Sequence, residues 1–289
     1  MVTKVKTGIV FEGGAFRTIF SCGVMDALVE NDIMPDYMIG VSAGAAYGVS
    51  MASKQPRRNL DVLMKYRNDK RYLGLSNMID KDNKSIYGLE FSYETIPNEL
   101  NLFDYDAFKQ YKGDFYCVVT NLLTGQPEYM KYTGDDRTNT VLKATCALPM
   151  LFPPIIINDV PYMDGGLSDS IPYLKAIEDG CDRIIVVLTR QSGYTKTTSR
   201  STKAIAYSYR NQYPKLTETM LTRASRYNES LKGLDQYVKE GRIITIQPTT
   251  SKGFSRLEKD KNKILSMYND GYNQCYELLD TIKKFYGIK

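Results

Sequence analysis

Residues 7–52 read TGIVFEGGAFRTIFSCGVMDALVENDIMPDYMIGVSAGAAYGVSMA, and this stretch decides the fold class. Thr7 to Phe11 is a short β-compatible run of the buried type. The glycine-rich turn Glu12-Gly13-Gly14-Ala15 follows, and then an apolar-periodic segment runs from Ile19 through Leu28. The order repeats at once. Tyr37 to Val41 is apolar and β-compatible, Ser42 stands at its end, and Ala43 to Ala52 is small, Ala-rich and helix-compatible. Two strand-turn-helix units in succession predict a mostly parallel sheet, because parallel strands need crossover connections that lay helices on the sheet faces.

Working outward, residues 55–101 are polar and tyrosine-rich, and predict helices and loops packed over the sheet. Asp114 to Thr120 and Glu128 to Tyr132 read as strands joined by a hairpin turn at Leu122 to Gln126. Thr140 to Leu148 reads as a helix ended by Pro149. Ile155 to Ile157 and Val160 to Tyr162 are short strands around Asn158-Asp159, and they deliver the chain to Asp164-Gly165-Gly166. Arg183 to Leu188 and Arg242 to Gln247 are two further buried strands, and Lys259 to Phe285 closes the chain as a helix. With no internal repeat or linker, residues 1–289 are expected to form one α/β domain: three layers, α/β/α, around a mostly parallel sheet.

The chain has 289 residues, 43% hydrophobic and 25% charged, which is ordinary for a folded, water-soluble protein. No apolar run is long enough to predict a transmembrane helix or a signal peptide. The five cysteines are far apart and form no C-x-x-C pair, so reduced thiols in a cytoplasmic setting are expected. The most informative count is histidine, which is zero. It excludes the Ser-His-Asp triad, the Cys-His dyad and the histidine-based zinc, haem and iron sites, leaving carboxylates, hydroxyls, thiols, amines and backbone dipoles. The net charge is +5. Two basic stretches contribute, Lys54 to Arg71 and Tyr194 to Arg226. The second reads as a solvated helical face, with a lipid- or anion-facing patch as the sharper alternative. Together they predict reversible peripheral contact with anionic membrane, such as the inner face of the cytoplasmic membrane. No signature directs the charge at nucleic acid.

Three patches carry candidate chemistry. Gly40-Val41-Ser42-Ala43-Gly44 matches G-x-S-x-G between a strand pattern and a helix pattern, the setting of a nucleophile elbow; a purely structural tight turn would use the same glycines. Gly13-Gly14-Ala15 offers backbone N–H groups at a helix start, suited to an oxyanion, although a phosphate loop is the competing reading. Arg17 beside it is suited to a phosphate or carboxylate, or is simply a surface arginine. Without histidine, the base for a serine must be Lys, Tyr, Asp or Glu. Asp164, followed by Gly165-Gly166, combines a strand end with a turn that leaves the carboxylate unshielded, but D-G-G is also a common turn.

Taken together, the patches resemble the patatin-like phospholipase family. The resemblance rests on Glu12-Gly13-Gly14-Ala15-Phe16-Arg17 for the glycine-rich oxyanion loop, Gly40 to Gly44 for the elbow and Asp164-Gly165-Gly166 for the D-G-[GA] element. Ala144 to Pro149 with Phe152-Pro153-Pro154 looks like the segment ahead of the aspartate. Residues 255–260 and the helix after them are similar to a bacterial subgroup. The resemblance implies a patatin-like fold and a serine acyl hydrolase, phospholipase A-like, that uses a Ser42–Asp164 dyad. The N–H groups of Gly13, Gly14 and Ala15 would hold the oxyanion, and neither cofactor nor metal is expected. Lipid or acyl esters are the implied substrates; a non-catalytic lipid- or acyl-binding protein on the same scaffold is the alternative. Ala15 and Thr18 stand where the family usually has glycine; a methyl at position 15 is tolerable if φ there is negative, and it narrows the site.

Overall fold

The computed structural model describes residues 5–81 and 83–288. In chain order the elements are β1 (Thr7–Phe11), α1 (Ile19–Glu30), β2 (Tyr37–Val41), α2 (Ala43–Ala52), α3 (Arg58–Tyr66), α4 (Ser76–Ile79), α5 (Tyr105–Gln110), β3 (Asp114–Asn121) and β4 (Pro127–Lys131). There follow α6 (Thr140–Cys146), β5 (Ile155–Ile157), β6 (Val160–Asp164), α7 (Tyr173–Glu178), β7 (Arg183–Val187), α8 (Arg200–Ser208), α9 (Pro214–Lys239), β8 (Ile243–Ile246), α10 (Lys261–Glu277) and α11 (Leu279–Tyr286). A π-helix, Phe91–Leu100, lies between α4 and α5.

The strands form one mixed sheet in the order β5-β6-β3-β2-β1-β7-β8, with β4 paired to β3. The five central strands β3-β2-β1-β7-β8 run parallel. Their side chains divide by parity, as the period of two requires. Ile9, Phe11, Met38, Phe115, Ile185 and Val187 join one core with α1 and α10, while Val10, Ile39, Val41, Val118, Ile184 and Val186 join another with α7 and α9. The sheet is therefore covered on both faces, which explains why its strands read as continuous apolar runs.

The sheet register places the candidate dyad. Val119 of β3 is paired with both Glu128 of β4 and Asp164 of β6, so β4 and β6 flank β3 on opposite sides. β4 overlaps the stretch of β3 that also pairs with β2, so β6 lies on the β2 side, in line with the end of β2. Val41 is opposite Val118 and Asp164 opposite the next residue, Val119. Two strands that meet end to end along β3 thus bring Ser42 and Asp164 together, although 122 positions separate them in sequence.

α1 and α10 cross at reciprocal glycines. A Cβ on Gly23 would lie 2.1 Å from the Tyr268 carbonyl oxygen, and one on Gly271 would lie 2.0 Å from that of Phe20. Their backbones touch, which only glycine permits. All five cysteines are free, and four are buried. Among the described residues no helix is long and apolar enough to cross a membrane.

Three expectations about elements need correction. The helix at 140 ends at Cys146 rather than Leu148: Ala147 turns to ψ 85, and its carbonyl accepts the Asp164 N–H at 2.9 Å instead of continuing the helix. The closing helix is two helices, offset where the Leu278 N–H bonds Cys275 three residues back. The stretch 194–226 is not simply a solvated face, since it forms α8 and the start of α9 and sends Lys196 and Arg223 into a cleft beside Ser42.

Candidate active site

Ser42 is the hinge between β2 and α2 and holds φ 55, ψ −128. This is a conformation that a residue with a side chain avoids, at a cost of about 1–3 kcal/mol, and it persists because its surroundings impose it. β2 must reverse into α2 within one residue. Gly40 packs on Ala45 and Gly44 on the Phe11 carbonyl at 2.5 Å from where a Cβ would sit, so neither position has room for one. The Ser42 N–H donates to Thr145 Oγ1 at 2.9 Å, and that hydroxyl in turn donates to the Val118 carbonyl. α6 thus fixes the serine from the side.

Asp164 ends β6, and its carboxylate is buried, 2% exposed. This corrects the expectation of an unshielded group: the Gly165-Gly166 turn folds back over it, and the Gly166 N–H donates to Asp164 Oδ1 at 2.8 Å. The carboxyl is held above the usual carboxylate range, first by burial; the Arg223 guanidinium, the nearby Ser42 hydroxyl and the Gly166 N–H act in the opposite direction. The Thr120 hydroxyl donates to the Asp164 carbonyl at 2.8 Å and anchors the turn to β3.

The loop after β1 passes directly over Ser42, for a Cβ on Gly13 would lie 2.9 Å from that of the serine. Among the described residues the N–H groups of Gly13, Gly14 and Ala15 donate no backbone hydrogen bond, whereas the Phe16 and Arg17 N–H groups donate to Arg256 and Gly14. Ala15 holds φ 50, so the condition of a negative φ for an unstrained methyl is not met. A left-handed turn at 15 is needed to swing the loop from β1 into the short 3-10 turn Ala15–Thr18, and alanine adopts it under strain where glycine would not. Arg17 is no surface arginine: it is 6% exposed.

Two clefts meet at Ser42. One is apolar and opens to solvent. Its walls include Phe16, Tyr47, Tyr72, Ile96, Leu142 and Phe152, and the π-helix forms one side. Burial pushes the Tyr72 hydroxyl up to about 12 and Tyr47, Tyr87 and Tyr93 well above their ordinary value, so these tyrosines are neutral. Burial likewise raises the neighbouring Cys146 thiol to about 12, which keeps it from competing as a thiolate. The other cleft is polar and holds Glu12, Asp164, Arg17, Arg190, Lys196, Arg223 and Arg256 around the Gly13–Ala15 loop. Sequence reading singled out Arg17 and the run containing Lys196 and Arg223, but not their convergence; Arg190 had no signal of its own. Among the described residues no cluster of three or more Cys, Asp or Glu is placed to hold a metal ion.

The family model described as patatin-like phospholipase matches residues 9–177, more than half of the chain. The chain belongs to the patatin-like phospholipase family. The match encloses Gly13, Gly14, Ala15, Arg17, the Gly40–Gly44 elbow and Asp164-Gly165-Gly166. A second model, a domain of unknown function (DUF6363), matches residues 213–287, from the start of α9 to the end of α11. Lysophospholipase nte1 of Aspergillus terreus is 29% identical over 193 residues, 63% of this chain and 12% of that protein. The uncharacterized protein YjjU of Escherichia coli K12 is 27% identical over 196 residues, 64% of this chain and 52% of that protein. The chain thus matches about half the length of YjjU and about an eighth of nte1. The crystal structure of VipD from Legionella pneumophila superposes with a TM-score of 0.48 at 16% identity, covering 96% of this chain and 67% of VipD.

Proposed function

We propose that this patatin-like protein is a serine acyl hydrolase acting on lipid esters through a Ser42–Asp164 dyad. Family membership and the lysophospholipase relatives support hydrolysis of a lipid ester. The observation that carries the dyad is the strained Ser42 at the β2–α2 junction with the buried Asp164 carboxylate lining the same cleft.

Ser42 Oγ attacks the ester carbonyl carbon while Asp164 accepts the hydroxyl proton. The oxyanion of the tetrahedral intermediate is held by the N–H groups of Gly13, Gly14 and Ala15. The Ser42 N–H is already committed to Thr145, so the glycine-rich loop supplies the donors. Asp164 returns the proton to the leaving alcohol, the acyl group stays on Ser42, and water activated by the same carboxylate releases the acid. A carboxylate of ordinary acidity is a weak base for a hydroxyl, and the burial that raises Asp164 brings it closer to the task. Lys196, pushed down to about 7, is the competing base by acidity alone, but the sheet register brings Asp164 to the end of β2, where Ser42 stands. The acyl chain occupies the apolar cleft.

Replacement Ser42→Ala should lower hydrolysis of a p-nitrophenyl ester and of a lysophospholipid by about four orders of magnitude or more while the fold is kept. Retained turnover would remove Ser42 from the chemistry. Lipid binding by a native protein that hydrolyses no ester would assign the scaffold to non-catalytic acyl binding.

A further inference from the structure

The polar cleft carries more positive charge than a serine hydrolase of uncharged esters requires. Five cationic side chains line it against two carboxylates, and both carboxylates also accept hydrogen bonds from uncharged groups. Glu12 accepts from the Thr189 N–H at 2.6 Å, from the Thr189 hydroxyl and from the Tyr227 hydroxyl. Asp164 Oδ1 accepts from the Gly166 N–H at 2.8 Å. Among the described residues none of Arg17, Arg190, Lys196, Arg223 and Arg256 forms an ion pair. Aromatic faces help to place them instead, with Arg190 4.4 Å from the Tyr194 ring and Lys196 3.7 Å from that of Tyr227. The Arg17 Nε is buried with no hydrogen-bond partner, a cost that a bound acceptor would remove.

Glu12 and Asp164 offset the repulsion among these cations only in part. Arg17 is lowered to about 10 by burial and then by Arg190 and Arg256, and Lys196 to about 7 by burial and then by Arg223. A group that brings two negative charges and several acceptor oxygens satisfies all of these features, and guanidinium forks match its geometry. A quaternary ammonium in the same space would add to the repulsion.

The source of the charges is informative. Only Arg17 lies within the patatin match; Arg190, Lys196, Arg223 and Arg256 come from beyond residue 177. The segment of unknown function holds two of them and is tied to the site: Arg223 Nε donates to the Gly166 carbonyl, and the Arg256 carbonyl accepts the Phe16 N–H at 3.1 Å.

We propose that the part of the chain beyond the patatin match builds a subsite for a doubly negative phosphate group, which directs the enzyme to acyl esters carrying a phosphomonoester rather than a choline headgroup. The proposal rests on the ester-hydrolase reading for its consequence in turnover, but not for binding.

The test therefore has two arms. In the first, Ser42→Ala protein is titrated calorimetrically with sn-glycerol 3-phosphate, glycerol and succinate. Glycerol 3-phosphate should bind about tenfold or more tighter than either, and the double variant Arg190→Gln/Lys196→Gln should lose that advantage while a single Lys196→Arg retains it. An unchanged thermal melt separates a lost site from a lost fold. In the second arm, wild-type kcat/KM should be about tenfold or more higher for 1-acyl-glycerol 3-phosphate than for the choline ester with the same acyl chain. Absent glycerol 3-phosphate binding, or succinate binding equally well, would overturn the subsite, as would equal turnover of the two lipids. If no ester is hydrolysed while glycerol 3-phosphate still binds, the hydrolase reading fails and the subsite stands.

Discussion

The two clefts that meet at Ser42 are built from different parts of the chain by different means. Every residue of the apolar cleft lies between Ala15 and Phe152, within the span of the patatin match. The polar cleft shares Ala15, Ser42 and Leu148 with it, adds Gly13, Gly14 and Asp164, and takes four of its five cations from beyond that span. One side of the reacting bond is thus made by the elements that make the fold, and the other is added by segments that pack onto it. The apolar cleft is therefore built with the sheet register, whereas the cationic side of the polar cleft is separable from it.

The largest effect expected is at Asp164, which lines the polar cleft beside Ser42. Asp164→Asn keeps the size and removes the proton acceptor, so turnover should fall by about two to four orders of magnitude. Stability should not fall with it. The folded-state value of Asp164 is raised above its unfolded one, so its contribution is present below the unfolded value and lost as pH rises through the folded one. At neutral pH the buried charge therefore destabilises, and the neutral amide should melt at the same temperature or higher. A large drop in melting temperature would make Asp164 a turn-former.

Arg223 tests the coupling between the clefts. It is the strongest influence holding Asp164 down against burial. Arg223→Met should therefore shift the acid limb of kcat/KM to higher pH, beyond its position in the native protein, which itself lies above the ordinary aspartate range. An unmoved limb would mean that the polar cleft does not reach the base.

The apolar side should respond only in chain length. Ala46 of α2 faces the apolar cleft, and Ala46→Phe should lower kcat/KM for long acyl chains by about tenfold while sparing short ones, since a phenyl group removes roughly the volume of several methylenes. Equal loss for both lengths would place the chain elsewhere. The smallest effect is expected at position 15. With φ 50, Ala15→Gly relieves left-handed strain and should raise stability by about 0.5–1 kcal/mol, read as a small rise in thermal midpoint.

Much of the fold was legible because buried parallel strands and their turns are local signals. β1, β2 and α2 fall where the apolar runs and glycines place them. What the sequence could not reveal depends on contacts across the chain. α6 stops at Cys146 because the Ala147 carbonyl is needed by Asp164, seventeen residues on. Ala15 turns left-handed because of where its loop must go, a matter of path rather than propensity. For the candidate site, motif spacing marked Ser42, Asp164 and the glycine-rich loop, since each sits at a turn with a sequence signature. Thr145 as the anchor of the Ser42 N–H, and the convergence of Arg190, Lys196, Arg223 and Arg256, carry no local signature. A basic run on a helix reads the same whether it faces water or a cleft.

The central claim is that Ser42 is the nucleophile of a lipid-ester hydrolase, and fluorophosphonate labelling followed by peptide mass mapping tests it most directly. A single adduct on the peptide containing Ser42, lost together with ester hydrolysis in Ser42→Ala, is the predicted result. An adduct on another serine, or hydrolysis that persists in a protein that takes no label, would contradict it.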